Sequence, residues 1–201
     1  MDSLPDEIAA KLKLLSRLLI SYNDFHHASR IASYILEHRL HDKVNRLHGR
    51  RRYRIKLLWE ALNSAMIVAY CRPFSGNDPG PTDTLGNLPG RFLKGLSAEE
   101  LEVHQTALND RNQLLAHSDS EAWNMRPFFF KGASGSPLLV PLHSDVRAPL
   151  VHDSVDVLQR LCGKLMDRIA DERAILENEL AEFLPAVTLE DVEASSAVDV
   201  G

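Results

Sequence analysis

Arg111 and His117 pair the side-chain types suited to chemistry on an anion. A guanidinium fork matches phosphate oxygens, and an imidazole exchanges protons near neutral pH. Both belong to one helical stretch. Ser97-Ala98-Glu99-Glu100 reads as a capping box that opens a helix running to about His117 or Asp119. With Arg111 at zero on a wheel of about 100° per residue, Leu115, Leu108 and Leu101 fall at about 40°, 60° and 80°. Ala107, Leu114 and Val103 fall at about −40°, −60° and −80°, so Arg111 sits in mid-stripe with His104 on the same line. A guanidinium there is costly unless it is paired, hydrogen-bonded or facing a cleft. His117 lies about 120° away, where the helix should end, and the reach of an arginine brings both groups to one site. The structural alternatives are an Arg111 that snorkels or pairs with a carboxylate of another helix, and a His104 that is a satisfied core histidine.

The string Asp110-Arg111-Asn112-Gln113-Leu114-Leu115-Ala116-His117-Ser118-Asp119 resembles the signature helix of the HEPN superfamily, in its abortive-infection and toxin-like branches. That signature is an Arg, four to six residues of which the first is polar, and a His; here five intervene, beginning with Asn112. The resemblance implies a metal-independent endoribonuclease that works as a homodimer, with the motif helices of both protomers lining one cleft. Arg111 would bind the scissile phosphate, His117 would be the general acid or base, and Asn112 would orient one of them or the phosphate. Cleavage through the 2′-hydroxyl needs such a base, an acid and a cation for the developing charge, and it needs no cofactor. A toxin or antiphage role, with an antitoxin or other defence-system partner, follows by family analogy. In one toxin branch a modifiable Tyr stands two residues after the His. Here that residue is Asp119, which removes support for a nucleotidyltransferase partner. The rival reading is a non-catalytic HEPN-like adaptor that binds RNA, a nucleotide or a protein. A third is a helical structural protein in which Arg111 makes an internal salt bridge.

A second candidate region is strongly basic. From His38 to Lys56 the chain carries Arg39, Lys43, Arg46, Arg50, Arg51, Arg52, Arg54 and Lys56 against Asp42 alone. Arg50, Arg51, Arg52 and Arg54 suit RNA phosphates. The alternatives are a solvated helix face, or a helix-end cluster pairing with the acidic helix around Glu177, Glu179 and Glu182. Tyr53 could stack a base, but a half-buried Tyr is the simpler expectation. Metal chemistry is poorly supported. His38, His41 and His48 have no accompanying Cys pair or HExxH. Neither a P-loop, a GxGxxG nor a GxSxG elbow is present.

The elements that must position these residues read as helices. The 201 residues are 44% apolar and 25% charged with net charge −5, which fits one globular domain and argues against a general polycation. Two cysteines make no disulfide framework, and no secretory or membrane-spanning segment is evident. These features point to the cytoplasm. The expected architecture is all-α: an antiparallel four-helix HEPN-like bundle over 23–183, with an added N-terminal helical arm at 1–22 and an acidic, disordered tail at 184–201. Helix one spans Pro5 to Ile20. Asn23 or Asp24 caps helix two, with core positions Ile31, Ile35, Leu36, Leu40, Val44 and Leu47, and Gly49 marks a break. Helix three, about Arg51 to Tyr70, uses Ile55, Leu58, Leu62, Met66 and Ala69, and Pro73 ends it. Residues 73–96, with five glycines and four prolines, form an irregular insertion. The second insertion, 122–150, is irregular or a β-hairpin, with the Phe128–Phe130 triplet packed on the bundle or at the dimer contact. The last helix covers Val151 to Phe183.

Overall fold

The computed structural model describes residues 5–75, 86–115, 126–131, 137–142, 150 and 152–183. It is predominantly helical: α1 (Asp6–Glu37), α2 (Leu40–Arg46), α3 (Gly49–Cys71), a 3-10 turn (Gly90–Leu93), α4 (Ala98–Leu115) and α5 (His152–Leu180). Between α4 and α5 lies an antiparallel hairpin, β1 (Arg126–Lys131) with β2 (Pro137–Leu142), in which Phe128 stands opposite Val140 and Phe130 opposite Leu138. The hairpin alternative for the second insertion is therefore the one realised. The packing of its phenylalanine side chains lies outside the described residues, as does the tail at 184–201.

Helices one and two of the sequence reading are a single 32-residue helix up to Glu37. The boundary placed at residue 22 falls inside it. The cap signals at Asn23 and Asp24 lose to packing. Leu15, Leu18, Ser21, Phe25, Ala28, Ile31, Ala32 and Ile35 continue a three-four spacing through that point, all buried. Asp24 instead meets Arg72, just past the end of α3, at 3.4 Å. The chain breaks one turn after Ile35, where Arg39 takes a left-handed conformation (φ 46°) between α1 and α2. The second break is at His48, and Gly49, with φ +58°, opens α3 in a conformation that few other residues tolerate.

α1 packs between α3 and α5, and α4 touches both α3 and α5, so α1, α3, α4 and α5 close a ring around one core. α1 runs antiparallel to α5: Lys11 meets Glu179 at one end, and Gln159 donates to Ser33 near the other. It is antiparallel to α3 as well, since Arg17 reaches the carbonyls of Arg72 and Pro73 while α2, beyond its far end, packs on α3. Phe25, Tyr70 and Phe74 form a triangle with centroids 5.6–5.8 Å apart, and the His104 ring meets Phe74 edge-on at 4.7 Å. This aromatic knot ties α1, α3 and α4.

The long connection between α3 and α4 is pinned at its described residues. Pro73 accepts from the Leu88 amide at 2.7 Å, Arg91 pairs with Glu172 at 2.8 Å, and Arg168 donates to the Phe92 carbonyl at 2.6 Å. The capping box forms as expected: the Ser97 amide donates to Glu100 Oε2 at 2.7 Å, and the Glu100 amide donates to Ser97 Oγ at 3.2 Å. Two expected core positions are wrong. Leu58 is 39% exposed and Leu101 44% exposed. The expected Met66 and Ala69 of α3 are buried, joined by Trp59, Asn63, Ile67 and Tyr70, and on α4 the expected Val103, His104 and Ala107 are buried. Each stripe is rotated by part of a turn from the one that apolar residues alone suggest, because it follows where the neighbouring helices stand. Among the described residues no helix is long and apolar enough to cross a membrane.

Candidate functional site

The α4 capping box fixes where the helix starts and so which residues look inward. Val103, His104 and Ala107 are buried, Asp110 and Arg111 are half-buried at the edge of that face, and Asn112 is exposed. Arg111 therefore lies where the wheel placed it, on the core line but at the rim. Its Nη1 donates to Asn112 Oδ1 at 3.3 Å. Among the described residues that is its one hydrogen bond, and it has no ion-pair partner. A guanidinium offers five donor N–H groups, so most of this one's capacity stays uncommitted to the described bundle. His117 lies outside the described residues, and so the Arg111–His117 geometry does too.

His104 is a core histidine. It is buried, and its Nδ1 shares a hydrogen bond of 2.8 Å with the Tyr70 hydroxyl. Burial lowers its pKa, so the ring is neutral at physiological pH, with one ring nitrogen a donor and the other an acceptor. Burial likewise pushes the Tyr70 hydroxyl far up, keeping its proton available to donate. The sequence placed His104 on the right face but gave no sign of Tyr70, whose partnership depends on how α3 crosses α4.

Cys71 and Cys162 lie behind this pair, both fully buried and both unbridged. Burial pushes each thiol up to about 12, and at Cys71 the Arg111 charge opposes that rise. Both are protonated at neutral pH and poor nucleophiles. The Arg111 charge therefore acts on Cys71, the last residue of α3. Asp110, beside Arg111, is raised by burial.

The basic stretch is at the opposite end of that helix. Arg50, Arg51, Arg52 and Arg54 occupy the first two turns of α3 and are all exposed. Among the described residues none of them has an ion-pair partner, whereas Glu177 is taken by Arg173 and Glu179 by Lys11. The pairing alternative for the arginines is thus not the arrangement found. Tyr53 is 68% exposed, which corrects the half-buried expectation. From Arg52 to Cys71 the helix rises about 28 Å at about 1.5 Å per residue. Within one chain the two candidate regions do not converge.

Among the described residues no three His, Cys, Asp or Glu side chains gather as a metal site. Comparison with protein-family models, curated proteins and solved structures finds no match for this chain.

Proposed function

We propose that this protein is a HEPN-type endoribonuclease that cleaves RNA through the 2′-hydroxyl without a metal ion. The observation that carries the reading is the state of Arg111: half-buried on the core line, bonded to Asn112 and without a carboxylate among the described residues. A structural arginine at such a rim is expected to hold an acid. One whose fork holds no acid among the described residues suits a phosphate, with the neutral Asn112 amide to hold it in orientation. In this reading Arg111 binds the scissile phosphate and Asn112 orients the guanidinium. His117 exchanges the proton with the 2′-hydroxyl or the leaving 5′-oxygen. The products are a 2′,3′-cyclic phosphate and a 5′-hydroxyl. A homodimer places two such helices at one cleft, and a toxin or antiphage role follows by analogy.

The test is cleavage of a mixed RNA pool in EDTA by the wild type, Arg111→Ala and His117→Ala. The expected result is cyclic-phosphate ends from the wild type and a loss of about 100-fold or more in each variant, the usual scale for removing an acid–base group. RNA that is bound but uncut by the wild type would replace the enzyme with the adaptor. Equal cleavage by all three would remove both residues from the site.

A further inference from the structure

The first turns of α3 carry a stripe that packing does not explain. Arg50, Tyr53, Arg54 and Leu57 recur at three-four spacing, so they share one helix face. That face lies opposite the one buried through Trp59, Met66 and Tyr70. All four residues are exposed, Tyr53 by 68% and Leu57 by 54%.

The charges here work against the fold. Arg50 and Arg54 stand four apart, the spacing at which like charges repel. Arg50, Arg51 and Arg52 occupy a helix N-terminus without an acid in its first turn, against the helix dipole. Arg39, in the junction that leads into the neighbouring α2, is held left-handed and is also exposed without an ion pair among the described residues. An anionic polymer relieves all of these repulsions together. A large flat ring set between Arg50 one turn before and Leu57 one turn after supplies what a string of phosphates alone does not need, a stacking platform.

We infer that the outer face of the α3 N-terminal turns is a docking surface for single-stranded RNA, with phosphates on Arg50, Arg51 and Arg54 and a base stacked on Tyr53. The inference rests on the proposed function in taking RNA as the polymer. A base presents its face to an exposed tyrosine only when it is unpaired, so a duplex gains the phosphate contacts alone. A membrane surface fits less well, because interfacial helices segregate a continuous apolar face from a charged one. Here the arginines interrupt the apolar residues on the same stripe. The surface lies on the first turns of α3, and Arg111 is on α4.

The test measures binding of a fluorescent oligouridine of about 12 nucleotides, within the usual span of single-strand sites. It uses full-length His117→Ala protein, so that the probe survives. Adding Tyr53→Ala should weaken binding about fivefold or more, the scale of one lost stacked base, while Tyr53→Trp keeps it. A blunt RNA duplex of the same length should show no Tyr53 dependence. Arg50→Gln with Arg54→Gln should make the slope of log affinity against log salt shallower by about 1.4, for two phosphate contacts on a single strand. Oligouridine binding unchanged by Tyr53→Ala would overturn the proposal. So would equal loss from the duplex, or Tyr53-dependent binding to phosphatidylserine vesicles tighter than to oligouridine. Wild-type cleavage in EDTA is scored separately. Tyr53-dependent binding without cleavage keeps this surface and removes the nuclease; cleavage with Tyr53-independent binding does the reverse.

Discussion

The two ends of α3 treat positive charge in opposite ways. At its C-terminal end cations sit where the helix dipole and free carbonyls favour them. Arg17 donates to the carbonyls of Arg72 and Pro73 at 3.0 and 2.6 Å, and Arg72 meets Asp24 at 3.4 Å. Beside them lies the aromatic knot of Phe25, Tyr70, Phe74 and His104. At the N-terminal end three arginines occupy the first turn against the dipole, without ion pairs among the described residues. Each such charge costs about 0.3–1 kcal/mol at an exposed helix end. One end is therefore closed by ring packing and an ion pair, and the other leaves its arginines exposed.

The largest expected contrast between the ends is in folding stability. Phe25→Ala empties the knot and should destabilise by about 3–5 kcal/mol. Tyr53→Ala, at the exposed end, should stay within about 0.5 kcal/mol. Urea unfolding of the two variants checks this. A comparable loss at Tyr53 would mean that the exposed end also holds the fold.

A smaller effect sharpens the closed end. Tyr70→Phe leaves His104 Nδ1 buried without its hydrogen-bond partner and should cost about 1–3 kcal/mol. The pH dependence has a definite sign. Burial holds the His104 pKa in the folded chain below its ordinary value, so between the two values the unfolded chain binds more protons. The contribution of neutral His104 is complete above about pH 6.5 and is lost as the pH falls through the window below it. Asp24 and Asp110, both raised by burial, act in the opposite sense near the carboxylate range. The diagnostic is therefore the difference between wild type and His104→Gln, with melting followed from about pH 8 to about pH 5. A difference that does not narrow toward acid pH would contradict a neutral, buried His104.

The smallest effect concerns the open end. Arg39→Gly relieves a left-handed residue and should raise stability by about 1 kcal/mol. The same change removes one cation from the basic end, so oligouridine affinity should fall while the urea midpoint rises. A fall in both would show that Arg39 supports the fold.

Legibility followed the range of the interactions involved. The capping box at Ser97 and Glu100 was readable because both partners lie within one turn. The hairpin was readable from two apolar runs around a small polar link. The break expected near Asn23 failed because a local cap signal competes with buried contacts along the whole of α1. Leu58, Leu101 and Tyr53 were misplaced for a related reason. Periodicity shows that a helix has an apolar side, but the neighbours determine which part of that side is covered. Arg111, in mid-stripe on the wheel, is half-buried, Asn112 is exposed, and His117 lies beyond the described residues.

Sequence by itself determined the helical class, the cap of α4, the place of Arg111 on the core line of its helix and the run of cations from Arg39 to Lys56. These depend on residues a few positions apart, and the helical repeat carries such information along the chain. Only the tertiary structure decided that Tyr70 serves His104, that Arg111 has no acid among the described residues, and that Arg50, Tyr53, Arg54 and Leu57 face outward. It also set the exposed basic stretch and the buried Tyr70–His104 pair at opposite ends of α3. Each of these is a relation between separate helices, and packing fixes it only once the whole core has formed.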